Sequence, residues 1–130
     1  MAYIADVRIT QPSAGEFVVT ITETEAAASS EVELLDTGTG ARLPYPGRII
    51  RCITPPSTGT GATRQPRLAI AAGASTGQVR YEATATAKAT KIDEQPVVSL
   101  TAESSLFHRS QAASGTDNAC TTVYHYKVGW

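Results

Sequence analysis

Hydrophobic and polar positions alternate with a period of two along most of the chain, the period of a β-strand rather than a helix. Tyr3, Ala5, Val7 and Ile9 alternate with Asp6 and Arg8, which predicts a half-buried first strand. The segment from Thr10 to Gly15 (TQPSAG) is turn chemistry, because Pro fixes φ and Gly permits positive φ. From Glu16 to Thr24, Phe17, Val19 and Ile21 alternate against Val18, Thr20 and Thr22, so the two segments read as a hairpin. The stretch from Glu25 to Leu35 is mixed. Ala28, Val32 and Leu35 have helical spacing, yet Glu31 to Leu34 alternates, which predicts a loop or helical turn near Glu25–Ser30 followed by a strand. Asp36 to Gly40 (DTGTG) is a tight turn, and Arg48 to Thr54, with Ile49, Ile50, Cys52 and Ile53, is an apolar-rich strand.

Pro55 to Pro66 (PPSTGTGATRQP) has no bulky apolar residue and reads as a long loop. A short strand, Leu68 to Ala72, and a turn, Gly73 to Gly77, follow. The longest alternation comes next: Val79, Tyr81, Ala83, Ala85, Ala87 and Ala89 against Arg80, Glu82, Thr84, Thr86, Lys88 and Thr90. Twelve extended residues would span roughly 40 Å, about twice a typical strand, with an almost pure alanine face suited to close packing on a core or a neighbouring chain. Val97 to Thr101 is another short strand, Ser110 to Asn118 a polar loop, and Thr121 to Val128 a closing strand with Tyr124, Tyr126 and Val128 on one face and Val123, His125 and Lys127 on the other. Seven or eight short strands separated by Gly/Pro turns predict an all-β fold: one small antiparallel β-sandwich or barrel with long polar loops, spanning residues 1–130 as a single domain.

Composition narrows the function classes. Thr (18), Ala (20), Ser (10) and Gly (10) dominate, and charged residues are only 18%, below the roughly 25% of an ordinary soluble domain. The alanines inflate the apolar fraction, so the remaining bulky residues fill a thin core. Burial against partners is then expected to supply part of the stability. A net charge of −1 argues against nucleic acid as a partner. No apolar run approaches the roughly 20 residues of a membrane span, and the N-terminal residues lack signal-peptide regions, so no membrane partner is expected and synthesis is placed in the cytoplasm. Cys52 and Cys120 are read as reduced, partly buried thiols, with a disulfide left open as the alternative.

Reactive chemistry is sparse. The two histidines are His108 and His125. Ser105, His108 and Asp117 make a nominal Ser/His/Asp set, but no GxSxG elbow accompanies it. Glu23/Glu25 and Glu31/Glu33 lie at i, i+2 and Asp93/Glu94 are adjacent, all expected to be solvated surface charge. The Gly-rich loop Ser57 to Gly61 lacks the Lys and helix of a phosphate loop, and no spaced carboxylates suggest calcium. No catalytic residue, cofactor or metal site is therefore expected, and the chain is read as a non-enzyme. What remains is surface suited to association. Tyr124, His125, Tyr126 and Trp130 crowd ring side chains into the last seven positions, where they are candidate assembly contacts together with Ala83, Ala85 and Ala87.

Two stretches resemble small virion proteins of tailed bacteriophages. They are Phe17 to Ala26 (FVVTITETEA) and Ser114 to Asn118 with the ending Thr122 to Trp130 (SGTDN and TVYHYKVGW), together 24 of the 130 residues. The resemblance implies a structural particle protein located in the virion: a capsid decoration, or cement, protein that binds the major capsid protein or other virion proteins, as a homo-oligomer on the particle. A tail or head–tail joining protein is the alternative within that class. A carbohydrate-binding or adhesin-like β domain is the alternative outside it.

Overall fold

A computed structural model describes residues 4–24, 31–36, 46–56, 63–69, 79–87, 89–100, 105–110 and 119–128. They are all-β. Twelve strands are present: β1 (Ile4–Ser13), β2 (Glu16–Thr24), β3 (Glu31–Asp36), β4 (Gly47–Thr54), β5 (Thr63–Arg64), β6 (Pro66–Ala69), β7 (Val79–Glu82), β8 (Thr86–Ala87), β9 (Ile92–Glu94), β10 (Val98–Leu100), β11 (Ser105–Ser110) and β12 (Ala119–Val128). A six-stranded sheet runs β1-β2-β12-β4-β10, with β9 also pairing β4, and a four-stranded sheet runs β3-β11-β6-β7. A short ribbon pairs β5 with β8, and every pairing is antiparallel.

The two larger sheets face one another as a sandwich because alternation gives each strand one apolar side. Val19 and Ile21 of β2, Tyr124 and Tyr126 of β12 and Ile49 and Cys52 of β4 point inward from the first sheet. Leu34, Leu68 and Leu106 meet them from the second. Register keeps the inner rows aligned: Ile9, Val19, Tyr124, Cys52 and Glu94 lie side by side across five strands. The β1–β2 hairpin closes through Ala14 and Gly15, and Gly15 takes the positive φ of 75° that the turn needs. Its carbonyl then accepts from the Val128 N–H at 2.7 Å, which ties the end of β12 to the hairpin. Gly47 serves packing instead. A Cβ there would collide with the Tyr126 ring and hydroxyl and with the Lys127 carbonyl, so only glycine lets β4 pass that ring.

Three expectations are corrected. The twelve-residue alternating strand is interrupted: β7 stops at Glu82 and only Thr86–Ala87 resumes strand pairing. The Ala83 N–H still donates to the Pro66 carbonyl at 2.8 Å, but the Thr84 N–H and hydroxyl are both taken by the Glu94 carboxylate, at 3.1 and 2.8 Å. That side-chain capture draws residues 83–85 out of the ladder. The long loop at residues 55–66 carries the short strand β5. Strands β9 and β11 add to the seven or eight expected. The turns expected near Glu25–Ser30, Asp36–Gly40 and Gly73–Gly77, and the loop at 111–118, lie outside the described residues, save for Asp36, which ends β3.

Candidate functional site

The chemistry-bearing side chains of the described residues converge inside the sandwich rather than on its surface. His108 enters from β11 with its side chain fully buried and bridges two strands of the opposite sheet. Its Nε2 lies 2.8 Å from Glu23 Oε1 on β2, and its Nδ1 lies 2.9 Å from the Tyr124 hydroxyl on β12. An ionised Glu23 can only accept, so Nε2 carries the proton that it receives. On a neutral ring the Tyr124 hydroxyl then donates to Nδ1. The Tyr124 and His108 rings also meet edge-on, 5.6 Å between centroids.

The chain of polar contacts continues. The Cys52 thiol on β4 is within hydrogen-bonding reach of the hydroxyls of Tyr124 and Tyr81. Tyr81, on β7, donates across the sandwich to Glu94 Oε1 on β9 at 2.5 Å. Glu94 is closed by the two bonds from Thr84. Six side chains, Glu23, His108, Tyr124, Cys52, Tyr81 and Glu94, thereby link the two sheets in one run of polar groups.

Burial sets the electrostatics of this run. Desolvation pushes the Cys52 thiol up to about 12, because the tyrosine hydroxyls that favour the thiolate offset only part of the burial cost. Burial likewise raises Tyr124 well above the ordinary phenol value, and Tyr81 follows through burial and its bond to Glu94. Burial pushes the Glu94 carboxyl up as well, but the bonds from Tyr81 and Thr84 outweigh that and hold it below the usual carboxylate range. A thiol so held in its protonated form is a poor nucleophile. Both histidine nitrogens are engaged and closed to solvent, so the ring serves as a clamp between sheets.

This arrangement corrects the surface-charge reading of Glu23, which is 1% exposed. Glu94 is also engaged rather than solvated, whereas Asp93 fits the surface reading and forms a two-point pair with Arg51, at 2.6 and 3.0 Å. Arg51 holds the Asp93 carboxyl below its ordinary range. The nominal Ser/His/Asp set gains nothing here: His108 is occupied by Glu23 and Tyr124, and Asp117 lies outside the described residues. Cys52 and Cys120 are both buried, with no disulfide between them.

The expected assembly contacts divide. Tyr124 and Tyr126 are 0% and 1% exposed and fill the domain's own core, which removes them from the surface available to a partner. Tyr126 packs on Phe17, 6.4 Å between ring centroids. The alternation had placed both tyrosines on one face correctly, and the presence of an opposing sheet makes that face internal. Ala83 is buried, while Ala85, Ala87 and Ala89 are exposed, so the closely packed alanine face reduces to Ala83. Trp130 lies outside the described residues.

His125 is the one candidate of the closing strand that faces outward. On that outer side of the six-stranded sheet, Thr20, Val123, Ile53 and Asp93 form one row across β2, β12, β4 and β9. Val18, His125 and Arg51 form the next. These β-branched and ring side chains are half-buried. Beside them, Pro12, Glu16, Phe17, Val18, Ile50, His125 and Tyr126 line a recess of about 160 Å³. No family model, no curated protein and no solved structure matches this chain.

Proposed function

We propose that this chain is a non-catalytic capsid decoration protein of a tailed phage, a β-sandwich that stabilises the head by binding the major capsid protein. The observation that carries the reading is the partition of the polar chemistry. Among the described residues, Glu23, His108, Tyr124, Cys52, Tyr81 and Glu94 are engaged in the inter-sheet run. The outer face of the six-stranded sheet keeps half-buried Val123 and Ile53 in one row and Val18 and His125 in the next. A sheet face of mixed apolar and polar residues suits a protein partner better than a small substrate, which needs a deeper enclosure. The phage-like stretches at Phe17–Ala26 and Thr122–Trp130 support the same reading, since they contribute β2 and β12, the two central strands of that face.

Quantitative mass spectrometry on purified tailless heads tests the proposal. The expected result is hundreds of copies per head, in a fixed ratio to the major capsid protein. Six or twelve copies confined to particles with necks or tails would assign a joining role instead. Specific retention of the isolated chain on a glycan array, with no binding to heads, would move it to the carbohydrate-binding class.

A further inference from the structure

Strand β1 is the edge of the six-stranded sheet, paired on one side by β2 alone among the described residues. From Ile4 to Thr10 its register with β2 is unbroken, and Pro12 lies beyond that run, so every residue of it keeps a backbone N–H. An edge of this length presents a row of donors and acceptors that a further strand can complete. Natural edges are usually blunted by charged side chains, proline or bulges. Here the bulge falls between Thr10 and Ser13, at the turn end, and the outward charges are of opposite sign. Asp6 and Arg8 stand on one face, 62% and 79% exposed, with Arg8 Nε 3.3 Å from Asp6 Oδ2. Val7 and Ile9 face the other way and are half-buried against the core.

We propose that β1 is a homotypic docking edge, along which two copies of this chain pair antiparallel about a twofold axis through Val7. The register follows from the side chains. Pairing an even-numbered residue with an odd-numbered one would turn the core face of one copy toward the solvent face of the other, so only registers that keep parity are compatible with a continuous sheet. Centring on Asp6 sets that carboxylate against its own copy, and centring on Arg8 sets two guanidinium groups together; both oppose like charges directly across the pair. Centring on Val7 places Asp6 opposite Arg8 of the second copy, and Arg8 opposite Asp6, on the solvent face. Val7 meets Val7 on the core face and extends the apolar layer across the junction. The result is one continuous sheet with the two β2 strands flanking the paired β1 strands.

Sedimentation velocity on the full chain over a dilution series tests the register, with circular dichroism and melting temperature to verify folding of each variant. The wild type is expected to show a reversible monomer–dimer equilibrium. Asp6→Arg and Arg8→Asp, both at exposed positions, are each expected to weaken self-association at least tenfold while remaining folded. An equimolar mixture of the two variants should form a heterodimer, because opposite signs then face each other in both pairs. The double variant Asp6→Arg/Arg8→Asp should recover the homodimer. A wild type that stays monomeric to submillimolar concentration overturns the proposal. So do single variants that dimerise like the wild type, or a mixture in which no heterodimer forms.

Discussion

Replacing His108 with Phe removes the clamp at the centre of the sandwich while keeping a ring of similar volume. Two hydrogen bonds disappear, those of 2.8 Å to Glu23 and 2.9 Å to Tyr124. The larger consequence falls on Glu23, which is 1% exposed and would keep a buried carboxylate without this partner. Taking a hydrogen-bond partner from a buried charged group typically costs about 3 kcal/mol or more. A domain of this length has a total stability of about 6–20 kcal/mol and loses about 4 °C of melting temperature per kcal/mol, so His108→Phe should lower the midpoint by about 10–20 °C. Chemical denaturation in parallel with calorimetry measures the loss. Adding Glu23→Leu removes the buried carboxylate that has lost His108, and the double variant should recover about 2 kcal/mol or more of what His108→Phe loses. A cost below about 1 kcal/mol for His108→Phe, or simple additivity in the double variant, would refute the view that the pair is energetically coupled in the core.

Other consequences follow from single contacts. Gly47→Ala drives a methyl group into the Tyr126 ring and the Lys127 carbonyl, and overpacking of this kind should cost about 1–3 kcal/mol in denaturant midpoint, whereas Gly15→Ala, which meets open space, should cost about 1 kcal/mol through its positive φ alone. Cys52, held at about 12, should resist alkylation at pH 8 in the native protein, with about one part in ten thousand as thiolate, and react readily once unfolded. Glu94 sits below the usual carboxylate range, so its contribution is complete above that range and disappears as the pH falls through the lowered folded value; urea titrations across this window should show a shallower acid loss for Glu94→Gln than for the wild type.

The elements legible in the sequence are those whose local alternation coincides with a real ladder. Val7 and Ile9 in β1, Val19 and Ile21 in β2, and Tyr124 and Tyr126 in β12 fall on the faces that their spacing assigned. The same rule overextended the segment from Val79 to Thr90, because a period of two describes side-chain direction and says nothing of whether a backbone partner exists. At Thr84 the competitor is the Glu94 carboxylate, ten residues away. The buried run was not legible. Glu23 and His108 are 85 residues apart, and each alone resembles a surface residue of a half-buried strand. Only the facing of the two sheets brings them together. The division between core and outer face at the closing strand was half legible, since spacing separated Tyr124 and Tyr126 from Val123 and His125, but only the second sheet shows which set is internal.

Rebinding to stripped heads addresses the central claim, that the inner polar run holds the fold and the outer sheet face does the work. Val123, half-buried between Thr20 and Ile53 in the outer row, is replaced by Asp, and purified wild-type and variant chains compete for heads freed of their own copies. The account predicts a Val123→Asp chain that is folded and melts close to the wild type but occupies heads at least tenfold less. A folded variant that matches the wild type in occupancy would contradict it.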